Sequence, residues 1–146
     1  MNLTEIQTEI SSAIKSGDKV RALVLRGLLS EIKNLEIDLK AKGEDLTDEL
    51  TLSVLLREAK KRRESIAAYK TGKRDDLAEA EEQELKILES YLPTQMTEDE
   101  IKQTVREIIA SAGANAQFGQ IMQQTMAKLK GKADGAKVSQ VVKELL

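Results

Sequence analysis

Near the end of the chain the stretch KLKGKADGAKV sets Lys128, Lys130, Lys132 and Lys137 around two glycines, Gly131 and Gly135. Ammonium groups beside unpaired backbone N–H donors at a helix start suit a phosphate, the lysines supplying charge and the backbone supplying direction. A helix-to-helix turn accounts for the same glycines. Gly131 can take the left-handed backbone that stops a helix, and Gly135 lets the chain enter the next helix closely. By spacing alone the turn is the simpler reading. A nucleotide loop is excluded, since the Gly-x-x-x-x-Gly-Lys-Ser/Thr spacing is absent.

A second basic run, REAKKRRES, places Arg57, Lys60 and Lys61 on one helical face and turns Arg62 and Arg63 toward adjacent ones. Glu58 and Glu64 dilute it, and the acidic segment DDLAEAEEQELK follows closely enough to fold back along it. Ion pairing across an antiparallel hairpin is therefore the expectation, ahead of a ligand surface. Asp75 and Asp76 have the types to hold a cation or exchange a proton, but no partner constellation accompanies them, so they read as helix-cap and solvent-facing charges. The chain has no cysteine and no histidine. Thiol nucleophiles, disulfides, imidazole bases and Cys/His zinc sites are excluded together, as are histidine-activated serines. Catalysis from the remaining residue types is possible, but nothing here is spaced like a known device, so the expectation is no catalytic residue, no metal and no cofactor.

The elements that position these residues are helices throughout. With 146 residues, 40% of them hydrophobic and 33% charged, the chain has enough aliphatic material for one modest core or two small ones. Tyr69, Tyr91 and Phe118 are the only aromatics, so Leu, Ile, Val, Ala and Met must fill it. Stripes of helical period run from Leu3 to Ile14, from Lys19 to Lys40 (Val20, Leu23, Val24, Leu28, Ile32, Leu35, Leu39), from 49 to 70 and on to Tyr91. Asp18, then Thr47 or Asp48, then Asp75 or Asp76 are placed as N-caps, and Gly72 as a helix stop. Gly27, inside the second helix, is most simply a close-packing point. The lone proline, Pro93, precedes a capping box at Thr97 and Glu100, which makes it a domain boundary. Three helices follow, burying Ile101, Val105, Ile108 and Ile109, then Phe118, Ile121, Met122 and Leu129, then Val138, Val141, Val142 and Leu145 behind an Asp134 N-cap. The fold class is all-α: an N-terminal four-helix domain with a long helical hairpin over residues 1–92, and a C-terminal three-helix domain over 93–146. Net charge is −2, so contact with nucleic acid must use local patches. MNLTEIQTEI lacks a basic start followed by an apolar block, and no run approaches the ~20 apolar residues of a membrane span, which predicts a cytoplasmic protein with no membrane partner.

Four motifs in order along the chain, DKVRALVLRGLLSEIKN, RDDLAEAEEQELKILESYLP, MTEDEI and GKADGAKVSQVVKELL, resemble the GatB/YqeY family. Its small YqeY-like members are similar in their C-terminal part to the tail domain of the B subunit of the tRNA-dependent amidotransferase. There the tail helps hold tRNA while other domains carry out glutamine-dependent amidation, a carbon–nitrogen ligase activity; similar domains are appended to a glutaminyl-tRNA synthetase. Gln120 and Ala127 stand where relatives commonly carry lysine and proline. The resemblance implies a non-catalytic, tRNA-binding or translation-accessory module, with Lys128, Lys130, Lys132 and Lys137 on phosphates and Gly131 and Gly135 bringing backbone close. The partner would be tRNA or a tRNA–enzyme complex. Two alternatives remain: a protein-interaction module docking its N-terminal hairpin on a synthetase or translation factor, and an amide-transfer role that depends on other subunits.

Overall fold

The computed structural model describes residues 1–129 and 131–146. Among these, seven α-helices and no strand are present, and the chain divides into two compact units, Met1–Leu92 and Pro93–Leu146. The all-α fold expected from the sequence is what is seen. No helix among the described residues is long and apolar enough to cross a membrane.

In the first unit, α1 (Leu3–Ser16) opens on an Asn2–Glu5 capping box and stops at Gly17, whose φ of +78° is the left-handed conformation that glycine tolerates. Asp18 accepts the Arg21 N–H at 3.0 Å and starts α2 (Lys19–Ala41), as expected. Thr47 caps α3 (Asp48–Thr71) by accepting the Leu50 N–H at 3.2 Å. Gly72 ends α3, but Lys73 is the residue that adopts the left-handed backbone, at φ +57°. The expected cap of α4 (Asp75–Glu89) is not formed: Arg74 occupies the N-cap position, and Asp75 and Asp76 lie in the first turn. Asp76 instead accepts from Nε and Nη2 of Arg74 at 3.3 and 3.4 Å, which hold its carboxyl below the usual range.

The core of this unit gathers Ile6, Leu25, Leu28, Ile32, Leu55 and Leu88 from all four helices. Most of the stripe expected on α2 faces the core: Val24, Leu28, Ile32 and Leu39 are buried and Leu35 packs against them, but its first two members do not. Ala22, Val24, Leu25, Leu28, Ile32 and Leu39 are buried, whereas Val20 and Leu23 are 42% and 66% exposed. Apolar residues occupy two faces of this helix, and periodicity cannot choose between them. Gly27 is no close-packing point either, for a Cβ there would meet nothing within 4 Å.

The turn at Gly72–Arg74 folds α4 back along α3, and the hairpin is laced by charge. Arg62 reaches Glu84 at 2.8 Å and Glu81 at 3.2 Å, Arg63 reaches Glu89 at 3.4 Å, and Lys70 reaches Glu82 at 2.8 Å. The pairing predicted for the basic run is therefore formed. At the other end, the Tyr91 hydroxyl accepts from Arg21 Nη1 at 2.7 Å and donates to Glu9 Oε2 at 3.1 Å. This joins the segment after α4 to α1 and α2, and burial pushes the phenol pKa up.

The second unit packs α5 (Glu98–Ala112), α6 (Phe118–Lys128) and α7 (Gly135–Leu145) pairwise around Ile101, Val105, Ile121, Leu129, Val138 and Val142. The Thr97–Glu100 capping box starts α5 as expected. Phe118, placed in the core by its apolar character, is 39% exposed, because it is the first residue of α6 and Ile121 and Thr125 face inward instead.

Replacing Arg62 by Met leaves Glu81 and Glu84 half-buried without their shared cation, and should cost about 1–2 kcal/mol in urea unfolding, against less than about 0.5 kcal/mol for Arg57→Ala on the open face. Tyr91→Phe should cost about 1 kcal/mol in the same measurement, as both hydrogen bonds of the hydroxyl are lost. The 2.8 Å hydrogen bond from Lys70 holds the Glu82 pKa down and the Lys70 pKa up. That pair therefore supports the fold at neutral pH, and its contribution is lost as pH falls through the lowered carboxylate pKa. Lys70→Ala should flatten that acid-side decline in a stability-versus-pH profile.

Candidate nucleic-acid interface

The turn between α6 and α7 is held from two sides. Gly131 is buried and has φ +76°, the left-handed conformation expected of it. The Lys132 N–H donates to the Leu129 carbonyl at 2.8 Å, closing the turn internally. From the segment after Pro93, the Met96 N–H donates to the Lys132 carbonyl at 2.8 Å and the Gln95 side-chain amide donates to the Gly131 carbonyl at 3.1 Å. Leu129 and Ala133 are buried on either side. With its backbone pinned and its neighbours inward, Lys132 has only the outward direction and is exposed.

Lys128 closes α6 and is exposed, its Nζ 3.8 Å from Glu107 Oε2. Both groups are open to solvent, so this ion pair is weak. Lys137 is exposed in the first turn of α7, and Gly135 opens that helix half-buried, with a Cβ there coming to an ordinary 3.7 Å contact with Met126 Cε. Lys130 lies outside the described residues. The turn thus brings Lys128, Lys132 and Lys137 to the surface of one unit, around two glycines.

The start of α7 is itself occupied. Asp134 accepts the Ala136 N–H on its carboxylate at 3.3 Å and the Val138 N–H on its carbonyl at 3.0 Å. A carboxylate at this end satisfies part of the donor set and repels an anion there. The groups left open at this turn are the lysine side chains rather than the helix terminus.

Gln95 and Met96 carried no signal that tied them to the turn; only their position after Pro93 set them apart. In the other basic run, Arg62 and Arg63 are engaged with α4 and Lys61 with Glu58 at 3.2 Å. Among the described residues Arg57 and Lys60 are exposed and make no ion pair.

Comparison with known proteins adds relatives to this geometry. The protein of Kluyveromyces lactis called Altered inheritance of mitochondria protein 41, mitochondrial, is 37% identical over 89 residues, covering 61% of this chain and 47% of that protein. Its namesake in Lachancea thermotolerans is 38% identical over 92 residues, covering 62% and 48%. The chain thus spans about half the length of these two relatives. The namesake in Pyrenophora tritici-repentis is 28% identical over 149 residues, covering 99% of this chain and 80% of its own. The expectation of a cytoplasmic protein is overturned by these relatives, each of which is named as mitochondrial. The opening residues fold as α1, with Ile6, Ile10 and Ala13 in the core. The family model described as Yqey-like protein matches residues 3–146, and the chain belongs to that family.

Proposed function

We propose that residues 93–146 form a non-catalytic tRNA-binding module, with residues 1–92 as a separate helical domain. The observation that carries this reading is the exposure of Lys128, Lys132 and Lys137 around a turn whose backbone is pinned by Gln95 and Met96. A fixed backbone lowers the ordering cost of presenting three flexible cations to a polyanion. Lys130 joins them by its place in the sequence. The kinship of the family with the tail of a glutamine-dependent amidotransferase makes tRNA, or a tRNA–enzyme complex, the natural polyanion. In that setting any carbon–nitrogen ligase chemistry belongs to other subunits.

With Tyr69, Tyr91 and Phe118 as the only aromatics, base stacking has little to work with. Recognition then rests on backbone and shape rather than base identity. Docking of a translation factor on the REAKKRRES face is less well supported, because Arg62 and Arg63 are occupied by α4.

Purified protein titrated with total tRNA should bind it in preference to a duplex RNA of the same length. The dependence of log affinity on log salt should have a slope of about −3, reflecting three or four phosphate contacts. Combining Lys132→Glu with Lys137→Glu should abolish the signal without lowering the melting temperature, since both side chains are exposed. No binding at low salt, or binding unchanged by the double reversal, would remove this site. Gly131→Ala places a side chain at φ +76° and should cost about 1–2 kcal/mol of stability, with a fall in tRNA affinity as the turn distorts.

A further inference from the structure

Once the core has taken the Leu25, Leu28 and Ile32 side of α2, a second stripe is left on its outer side. Val20, Leu23, Gly27, Ser30, Asn34 and Ile37 succeed one another at alternating spacings of three and four, and all are exposed. This is the a/d alternation of a coiled-coil seam, with Val20, Gly27 and Asn34 at a and Leu23, Ser30 and Ile37 at d. No charge interrupts it, although 33% of the chain is charged, and Leu23 and Ile37 are 66% and 64% exposed. We propose that this seam is a self-docking face, on which α2 of a second copy of the chain packs in parallel about a two-fold axis.

The flanking charges choose the occupant and its direction. On one side of the seam, at g positions, stand Lys19, Arg26 and Lys33; on the other, at e positions, stand Glu31 and Asp38. In a parallel pair each g residue faces the e residue five positions on in the partner. Arg26 then meets Glu31 of the other copy and Lys33 meets Asp38, and the two-fold repeats both pairs. In an antiparallel pair g faces g, and three cations would oppose three cations. Within the chain, among the described residues, Arg26, Glu31, Lys33 and Asp38 make no ion pair, in contrast to the laced α3–α4 hairpin. Asn34 at an a position is the kind of polar residue that fixes register in two-stranded seams. Gly27, with open space around its missing Cβ, lets two backbones come close.

The surroundings of the seam repeat the same complementarity. Beyond the e edge lies a groove of about 300 Å³ in which Glu31, Glu58, Glu81 and Glu84 outnumber Arg62. Beyond the g edge lies one of about 420 Å³, floored by Ala13, Ile14 and Leu23 under Lys19 and Arg26. A parallel two-fold lays the basic edge of each copy over the acidic groove of the other. The aliphatic contribution is only Val20, Leu23 and Ile37 per copy, so the association is reversible and concentration-dependent rather than obligate.

Sedimentation of the full chain over a wide concentration range should show a reversible monomer–dimer equilibrium. Leu23→Glu should abolish the dimer while leaving the thermal melt unchanged, because that side chain is largely exposed. Arg26→Glu should weaken the dimer, and adding Glu31→Arg should restore it; the two residues are five apart on one helix and cannot rescue each other within a chain. The chain has no cysteine, so orientation is read cleanly by disulfide formation. Val20→Cys and Ile37→Cys should each cross-link to itself under mild oxidation. A monomer at every concentration up to millimolar, a dimer indifferent to Leu23→Glu, or cross-links formed only between Val20→Cys and Ile37→Cys chains would each overturn the proposal.

Discussion

Helix α2 has apolar residues on two faces and one intramolecular core to receive them. The core takes the side carrying Leu25, Leu28 and Ile32, and α1 and the α3–α4 hairpin are arranged around that side. The choice follows from what each neighbour offers. Ile6 and Ile10 of α1, Val54 and Leu55 of α3 and Leu88 of α4 can all be buried at once only against one continuous surface. That choice leaves Val20, Leu23 and Ile37 exposed on the outside of α2.

With so small an aliphatic core, charge has to be placed where it does not oppose folding. The hairpin does this by setting the basic run of α3 against the acidic face of α4. Arg62 sits between Glu81 and Glu84, which are half-buried carboxylates that would repel each other without it. Its role is local neutralisation more than net attraction, since solvent still reaches most of these groups. The same arrangement explains why a run that looks like a polyanion-binding patch in sequence is mostly unavailable in the fold. The lysines of the α6–α7 turn, by contrast, have one weak partner in Glu107 and are otherwise open among the described residues.

The turn itself combines two requirements that usually conflict. The surface proposed for a charged ligand has to be exposed, yet its backbone has to be fixed. Here Leu129, Gly131 and Ala133 point inward and anchor the strip, while Gln95 and Met96 bond its carbonyls from the side. Asp134 then caps α7 and keeps the helix terminus for the protein's own use. Lys132 is thus presented by a pinned loop, between Lys128 at the end of α6 and Lys137 in the first turn of α7.

What the sequence determined by itself was local. Helix periods, the caps at Asp18, Thr47, Thr97 and Asp134, the left-handed Gly131 and the hairpin pairing of opposite charges all act within a few turns of chain, where composition and spacing carry the physics. Where a local rule had two candidates, tertiary structure decided. Arg74, not an aspartate, stands at the N-cap of α4, next to Lys73 in the left-handed backbone. Phe118 stayed outside while Ile121 and Thr125 took the inward positions of α6. Val20 and Leu23 yielded to Ala22 and Leu25, since only contact with α1, α3 and α4 distinguishes the two sides of α2. The grip of Gln95 and Met96 on the turn lay beyond any local pattern, for its two hydrogen bonds join residues thirty-six positions apart in the chain.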